Sequence, residues 1–173
     1  MTAQAAYWFL PVVIPIAFYI SWTDMRTMKI KNGSNAALLL AFALLGPFAF
    51  GFPLYLWQWL HFPIVLIICM ALWALRVMGA GDAKMIAAMA PFFMTADLQL
   101  ILRLFAACLL GALVIHSIFR FTPLKKLAPD WESWHATRGD LRGGFLGIDL
   151  AFPKGFPLSM TLLFYLLVVA IYR

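Results

Sequence analysis

The stretch RVMGAGDAKMIAAMAPF, residues 76–92, decides how the chain is read. Small and greasy residues fill it, yet Asp82 stands behind Gly79 and Gly81 at its mouth. The whole chain holds only seven acidic residues in 173. An ionisable side chain set into apolar surroundings carries a burial cost that something must offset. Such a residue is therefore a functional candidate from the outset.

The surroundings are apolar along the entire chain. It is 65% hydrophobic and 12% charged, with a mean hydropathy of +0.92. A soluble domain carries about 25% charged residues. The composition predicts an all-α polytopic membrane protein, folded as a single integral-membrane domain over residues 1–173. Cys69 and Cys108 lie in apolar runs without a CxxC pair, which argues against a disulfide scaffold or a zinc site. His61, His116 and His135 share no motif, so neither a metal nor an organic cofactor is expected. The net charge of +6 is no sign of nucleic acid, because the basic residues sit at the ends of apolar segments. Bilayer orientation requires that placement.

Six apolar segments are marked, at about 5–22, 34–50, 54–77, 82–95, 98–119 and 156–172. A spanning helix needs roughly 20 residues. The fourth segment is too short to cross lipid alone, so either the Gly-rich stretch before it extends it or the bundle shelters it. The first has no basic start and no small-residue cleavage site before Asp24, and reads as a permanent helix. With six helices, 11 of the 13 basic residues fall on one side, from Arg26, Lys29 and Lys31 to Lys154. The bias puts those loops in the cytoplasm and both termini outside. On the outer side GFPLYLWQWLHF, residues 51–62, offers Tyr55, Trp57 and Trp59 for an aromatic interfacial belt.

This topology brings two aspartates to one boundary. Asp24 closes the first helix and Asp82 opens the fourth, although 58 positions separate them. Two carboxylates at one depth can share a proton and hydrolyse a peptide bond. One, ionised, activates water; the other, protonated, polarises the carbonyl. Helix ends favour Asp24 as acid and Asp82 as base, while Arg26 and Lys84 act in the opposite sense. A blander reading stands beside this one: Asp82 as a helix N-cap, and Asp24 as a solvated boundary residue. Gly79 and Gly81 allow either tight packing or close approach of a substrate backbone. Position 83, one residue further into the helix, is expected to tolerate a branched side chain facing lipid.

GAGDAK, Gly79 to Lys84, resembles the GxGDxK signature of type IV prepilin peptidases, the GxGD class of intramembrane aspartic proteases. DMRTMKIKN, residues 24–32, resembles that family's first-aspartate motif, an Asp followed by a basic loop and Ile-Pro-Asn. Lys31 stands where the family has proline, and FPKGFP, residues 152–157, has Lys154 where members often show Pro-Tyr-Gly. The resemblance implies that Asp24 and Asp82 are the catalytic pair, and that prepilin leader peptides are cut at the cytoplasmic face, after a glycine. It makes Lys84 and Asn32 supporting residues and Gly79 and Gly81 the place of substrate approach. The length and cysteine count leave no room for the N-terminal methyltransferase domain of larger members. The chain is thus similar to the short, stand-alone peptidases of tight-adherence (Tad/Flp) pilus systems.

The expected function is an intramembrane aspartic endopeptidase of the inner membrane, acting in pilus assembly or protein secretion. Its partners would be a prepilin-like substrate and the bilayer, with no nucleic acid; no signal for oligomeric state stands out. Two rivals use the same residues differently. A proton- or cation-coupled transporter would relay ions through the aspartates, and a non-catalytic assembly factor would keep them only as caps. The loop from 120 to 155, with Trp131 and Trp134 among basic residues, reads as an interfacial amphipathic element or a gate over the site.

Overall fold

The structure is a computed structural model that describes residues 1–127, 129–131 and 153–173. Trp134, His135 and most of the loop expected to gate the site lie outside the described residues. Seven helices are described: α1 (Ala3–Thr27), α2 (Asn32–Phe50), α3 (Phe52–Trp59), α4 (His61–Ala74), α5 (Ala80–Met89), α6 (Leu98–Phe121) and α7 (Gly155–Tyr172). Five helical stretches are long and apolar enough to cross a membrane, with α3 and α4 together forming one of them. The chain is an all-α, multi-pass membrane protein.

The core follows from helical spacing. Phe9, Val13, Ala17 and Ile20 line one face of α1. They meet Leu158, Leu162, Tyr165, Leu166 and Val169 along α7, spaced at about one turn like their partners. Burial is nearly complete on both faces, and α1 packs most extensively on α7 and next on α2. One turn inside the Asp24 end, Ser21 and Ser159 pair their hydroxyls at 2.9 Å, and Ser21 also donates to the Ala17 carbonyl. No buried hydroxyl of this seam is left to face lipid unpaired. Phe9, Phe42 and Phe92 close the other half of the core, their ring centroids 5.0 to 6.0 Å apart.

The short fourth segment is both extended and sheltered. Its helix α5 begins at Ala80, inside the Gly-rich stretch, and ends at Met89. Ten residues rise about 15 Å, half of a hydrocarbon core of about 30 Å. A 3-10 turn continues over Ala90–Phe92, and Phe93 then extends. Pro91 has no N–H to sustain an α-helix. Backbone freed inside a membrane protein must find partners in the protein. The Phe93 carbonyl accepts from Gln58 Nε2 at 3.2 Å, and the Met94 N–H donates to the Tyr165 hydroxyl at 3.4 Å. Ala83, Met85, Ala87, Ala88, Met89 and Phe92 are all buried. Position 83 therefore faces the bundle and not lipid, contrary to the expectation from sequence.

The aromatic belt is also thinner than expected. Trp57 is exposed, but Tyr55 and Trp59 turn inward onto Phe42, at 5.5 and 5.4 Å between centroids. The Tyr55 hydroxyl donates to the Ala43 carbonyl. At the end of the bundle remote from Asp24, buried Asp97 gathers three donors. They are the Tyr165 hydroxyl at 2.8 Å, the Arg173 guanidinium at 2.7 Å and the Met1 amine at 3.0 Å.

Candidate active site

Asp24 occupies the last turn of α1. Met28 ends that helix in the left-handed conformation, φ 52°, and returns its N–H to the Asp24 carbonyl at 2.8 Å. The turn folds the following loop back, so that Ile30 lies beside the carboxyl group. Asp24 is 3% exposed, which overturns its reading as a solvated boundary residue. Its Oδ2 accepts a 2.7 Å hydrogen bond from the backbone N–H of Gly155, the first residue of α7.

Asp82 stands three residues into α5. The N-cap position belongs to Gly79, so Asp82 is not the cap that the sequence suggested. Its carboxylate turns back toward Gly79. The same carboxylate pairs with Lys154, Nζ to Oδ2 at 3.8 Å, and both side chains are largely shielded. Lys154 and Gly155 are neighbours in sequence. One pairs with Asp82 through its side chain, and the other bonds Asp24 through its backbone. Two consecutive residues thus bracket both carboxylates, and the charge on Asp82 acts on Asp24.

The structure places the other expected site residues around this pair. Lys84 Nζ donates to Asn32 Oδ1 at 3.2 Å, joining α5 to the first turn of α2 at the surface. Gly79 leaves room for the Asp82 carboxylate: a Cβ there would sit 3.1 Å from its Oδ2. A Cβ on Gly81 would meet Ile30 at 3.5 Å, an ordinary contact. Neither glycine has positive φ; among the described residues Gly51 alone does. The space beside both glycines is taken by the protein's own side chains.

Sequence reasoning gave no role to Ile30, Lys154 or Gly155. A Cβ on Gly155 would lie 2.9 Å from Ile30 Cγ1 and 3.0 Å from the Asp24 carboxyl. Ile30 therefore wedges between α5 and α7, touching the places where Gly81 and Gly155 lack a side chain. The signal was present in KIKN and FPKGFP, but only the fold shows that these stretches meet. Among the described residues no cluster of three or more His, Cys, Asp or Glu is arranged to hold a metal ion. The chemistry available is that of two carboxyl groups at one end of a bundle. Backbone N–H groups act on both, and the Lys154 cation lies within ion-pair distance of Asp82.

Residues 11–116, well over half of the chain, match the family model described as the type IV leader peptidase family. The matched stretch holds both Asp24 and Asp82 and ends before Lys154 and Gly155. No curated protein and no solved structure matches the chain.

Proposed function

The chain belongs to the type IV leader peptidase family, and on that premise we propose that it is an aspartic endopeptidase whose catalytic pair is Asp24 and Asp82. The observation that carries this reading is the bracket formed by Lys154 and Gly155, which holds two distant carboxyl groups in one shielded site. One ionised carboxylate takes a proton from water, and the protonated partner donates to the scissile carbonyl. After attack the second proton passes to the leaving amine, and the pair returns to its single-proton state. This cycle needs no metal or organic cofactor.

The substrate is the leader peptide of a prepilin-like membrane subunit, and cleavage takes place at the cytoplasmic face of the inner membrane. The crowding of basic residues at the Asp24 end supports that side. An apolar cleft of about 310 Å³ supports a hydrophobic substrate segment. The cleft runs from Ile86 and Leu158, one turn beyond Asp82 and Gly155, to His61, Thr95 and Leu98 toward the opposite end of the bundle. Lys84 and Asn32 tie the two aspartate motifs together, Gly79 admits the Asp82 carboxylate, and Gly81 lets the Ile30 loop close on α5. Transport is disfavoured because both aspartates lie at one end of the bundle, where no relay across it can form.

The test is hydrolysis of a synthetic leader peptide by the purified protein in liposomes. Asp24→Asn and Asp82→Asn each remove about 10²–10⁴-fold of the rate, as expected for loss of an acid or base, while the protein still inserts. A transporter or an assembly factor would not cut the peptide at all. Normal cleavage by either Asn variant would refute the pair.

A further inference from the structure

Asp24 and Asp82 resemble each other in sequence context but not in what holds them. Asp24 is met by neutral backbone donors, the N–H of Gly155 on Oδ2 and that of Phe156. Asp82 receives a full positive charge from Lys154. At 3.8 Å this is an ion pair beyond hydrogen-bond length, and its attraction favours the ionised carboxylate. Among the described residues, Lys154 acts on both carboxyl groups and lies within ion-pair distance of Asp82, and the two carboxyl groups act on each other. The nearby cations of the other loops have other partners: Lys31 bonds the Tyr19 hydroxyl and Lys84 bonds Asn32.

We infer that Lys154 is a positioning residue that breaks the symmetry of the pair, holding Asp82 as the ionised, water-activating carboxylate and leaving Asp24 as the proton donor. This rests on the aspartic peptidase reading above and adds to it the assignment of roles. Lys154 needs no contact with substrate to act in this way. Its ammonium group stabilises the ionised form of Asp82 against the cost of burial. The same cation lies next in sequence to the residue that orients Asp24. Small movements of the start of α7 therefore set both carboxyl groups at once.

The sign of the test follows. Removing the cation makes the ionised form of Asp82 harder to reach, and the acidic limb of the pH–rate profile moves to higher pH. Lys154→Met keeps the length of the side chain without the charge, and Lys154→Arg keeps the charge. In leader-peptide hydrolysis, Lys154→Met moves the acidic limb up by about 1 unit or more. On that limb one unit is about a tenfold lower rate at fixed pH. KM stays near its original value, and Lys154→Arg restores the profile. A readout free of catalysis accompanies it. In Asp24→Asn protein, the infrared carboxylate band that disappears on further Asp82→Asn substitution is titrated with and without Lys154→Met. Its midpoint rises when the lysine is lost. An unmoved acidic limb and an unmoved band would overturn the assignment. So would an equal shift in the Arg variant, or an effect confined to KM, which would make Lys154 a substrate contact. Those results leave the peptidase reading intact, whereas cleavage by Asp24→Asn or Asp82→Asn protein would remove the pair itself.

Discussion

The fit of Gly155 against Asp24 is the tightest constraint on the candidate site, and it yields a residue-scale prediction. Gly155→Ala places a methyl group 3.0 Å from the Asp24 carboxyl and 2.9 Å from Ile30, closer than carbon atoms settle in practice. Either the start of α7 or the carboxyl group must shift, and misplacement on that scale costs catalysis about 10²-fold. Gly81→Ala, whose methyl group meets Ile30 at 3.5 Å, is expected to cleave within a few-fold of the parent. Processing rates in membranes with matched protein levels compare the two. Near-normal cleavage by Gly155→Ala, or equal loss in Gly81→Ala, would count against the geometry. The aspartates were legible in the sequence because charge is rare in so apolar a chain. Lys154 and Gly155 were noticed only against the Pro-Tyr-Gly stretch that the family often shows, and that likeness does not say what they touch. Gly79 and Gly81 were legible as places of close approach, but Asp82 and Ile30 are what approach them.

At the scale of elements, both non-glycine residues with left-handed backbone among the described residues end helices on the aspartate side: Met28 after α1 and Arg76 after α4. A side chain in that conformation costs roughly 1–2 kcal/mol, which glycine avoids. Met28→Gly is therefore expected to stabilise the folded protein by about 1 kcal/mol, seen as a higher thermal unfolding midpoint in detergent. A lower midpoint would mean that the Met28 side chain contributes more by its contacts than its backbone costs. The six apolar segments foretold where the helices lie, because length and hydropathy decide what can cross a bilayer, but the third holds two helices, α3 and α4, and α1 runs five residues past its expected end. The break inside the fourth was beyond reach. Nothing local shows that Gln58 and Tyr165 supply the partners that let the chain leave helical geometry at Phe93.

For the molecule as a whole, charge distribution predicts the orientation and tertiary packing predicts how it is reached. Spans enter the bilayer during synthesis in chain order, and each must be apolar enough to stay there. The segment that carries Asp82 fails that standard, with a ten-residue helix and two charges near its start. Its partner Tyr165 is made more than seventy residues later. We expect the crossing from Ala80 to Asp97 to be completed only after synthesis has passed it, drawn across by α6 and α7. Cysteine labelling on a background without Cys69 and Cys108 tests this. In the full chain, Lys29→Cys reacts with an impermeant reagent from the cytoplasmic side and Ala96→Cys from the outside. In a chain cut after Asp97, position 96 remains on the cytoplasmic side. A reversed pattern in the full chain would overturn the orientation, and outside labelling of the cut chain would show that the segment crosses unaided. With late crossing, the Asp82 half of the pair reaches its place only once α7 has entered the bilayer. A nascent chain that still lacks α7 would then be inactive.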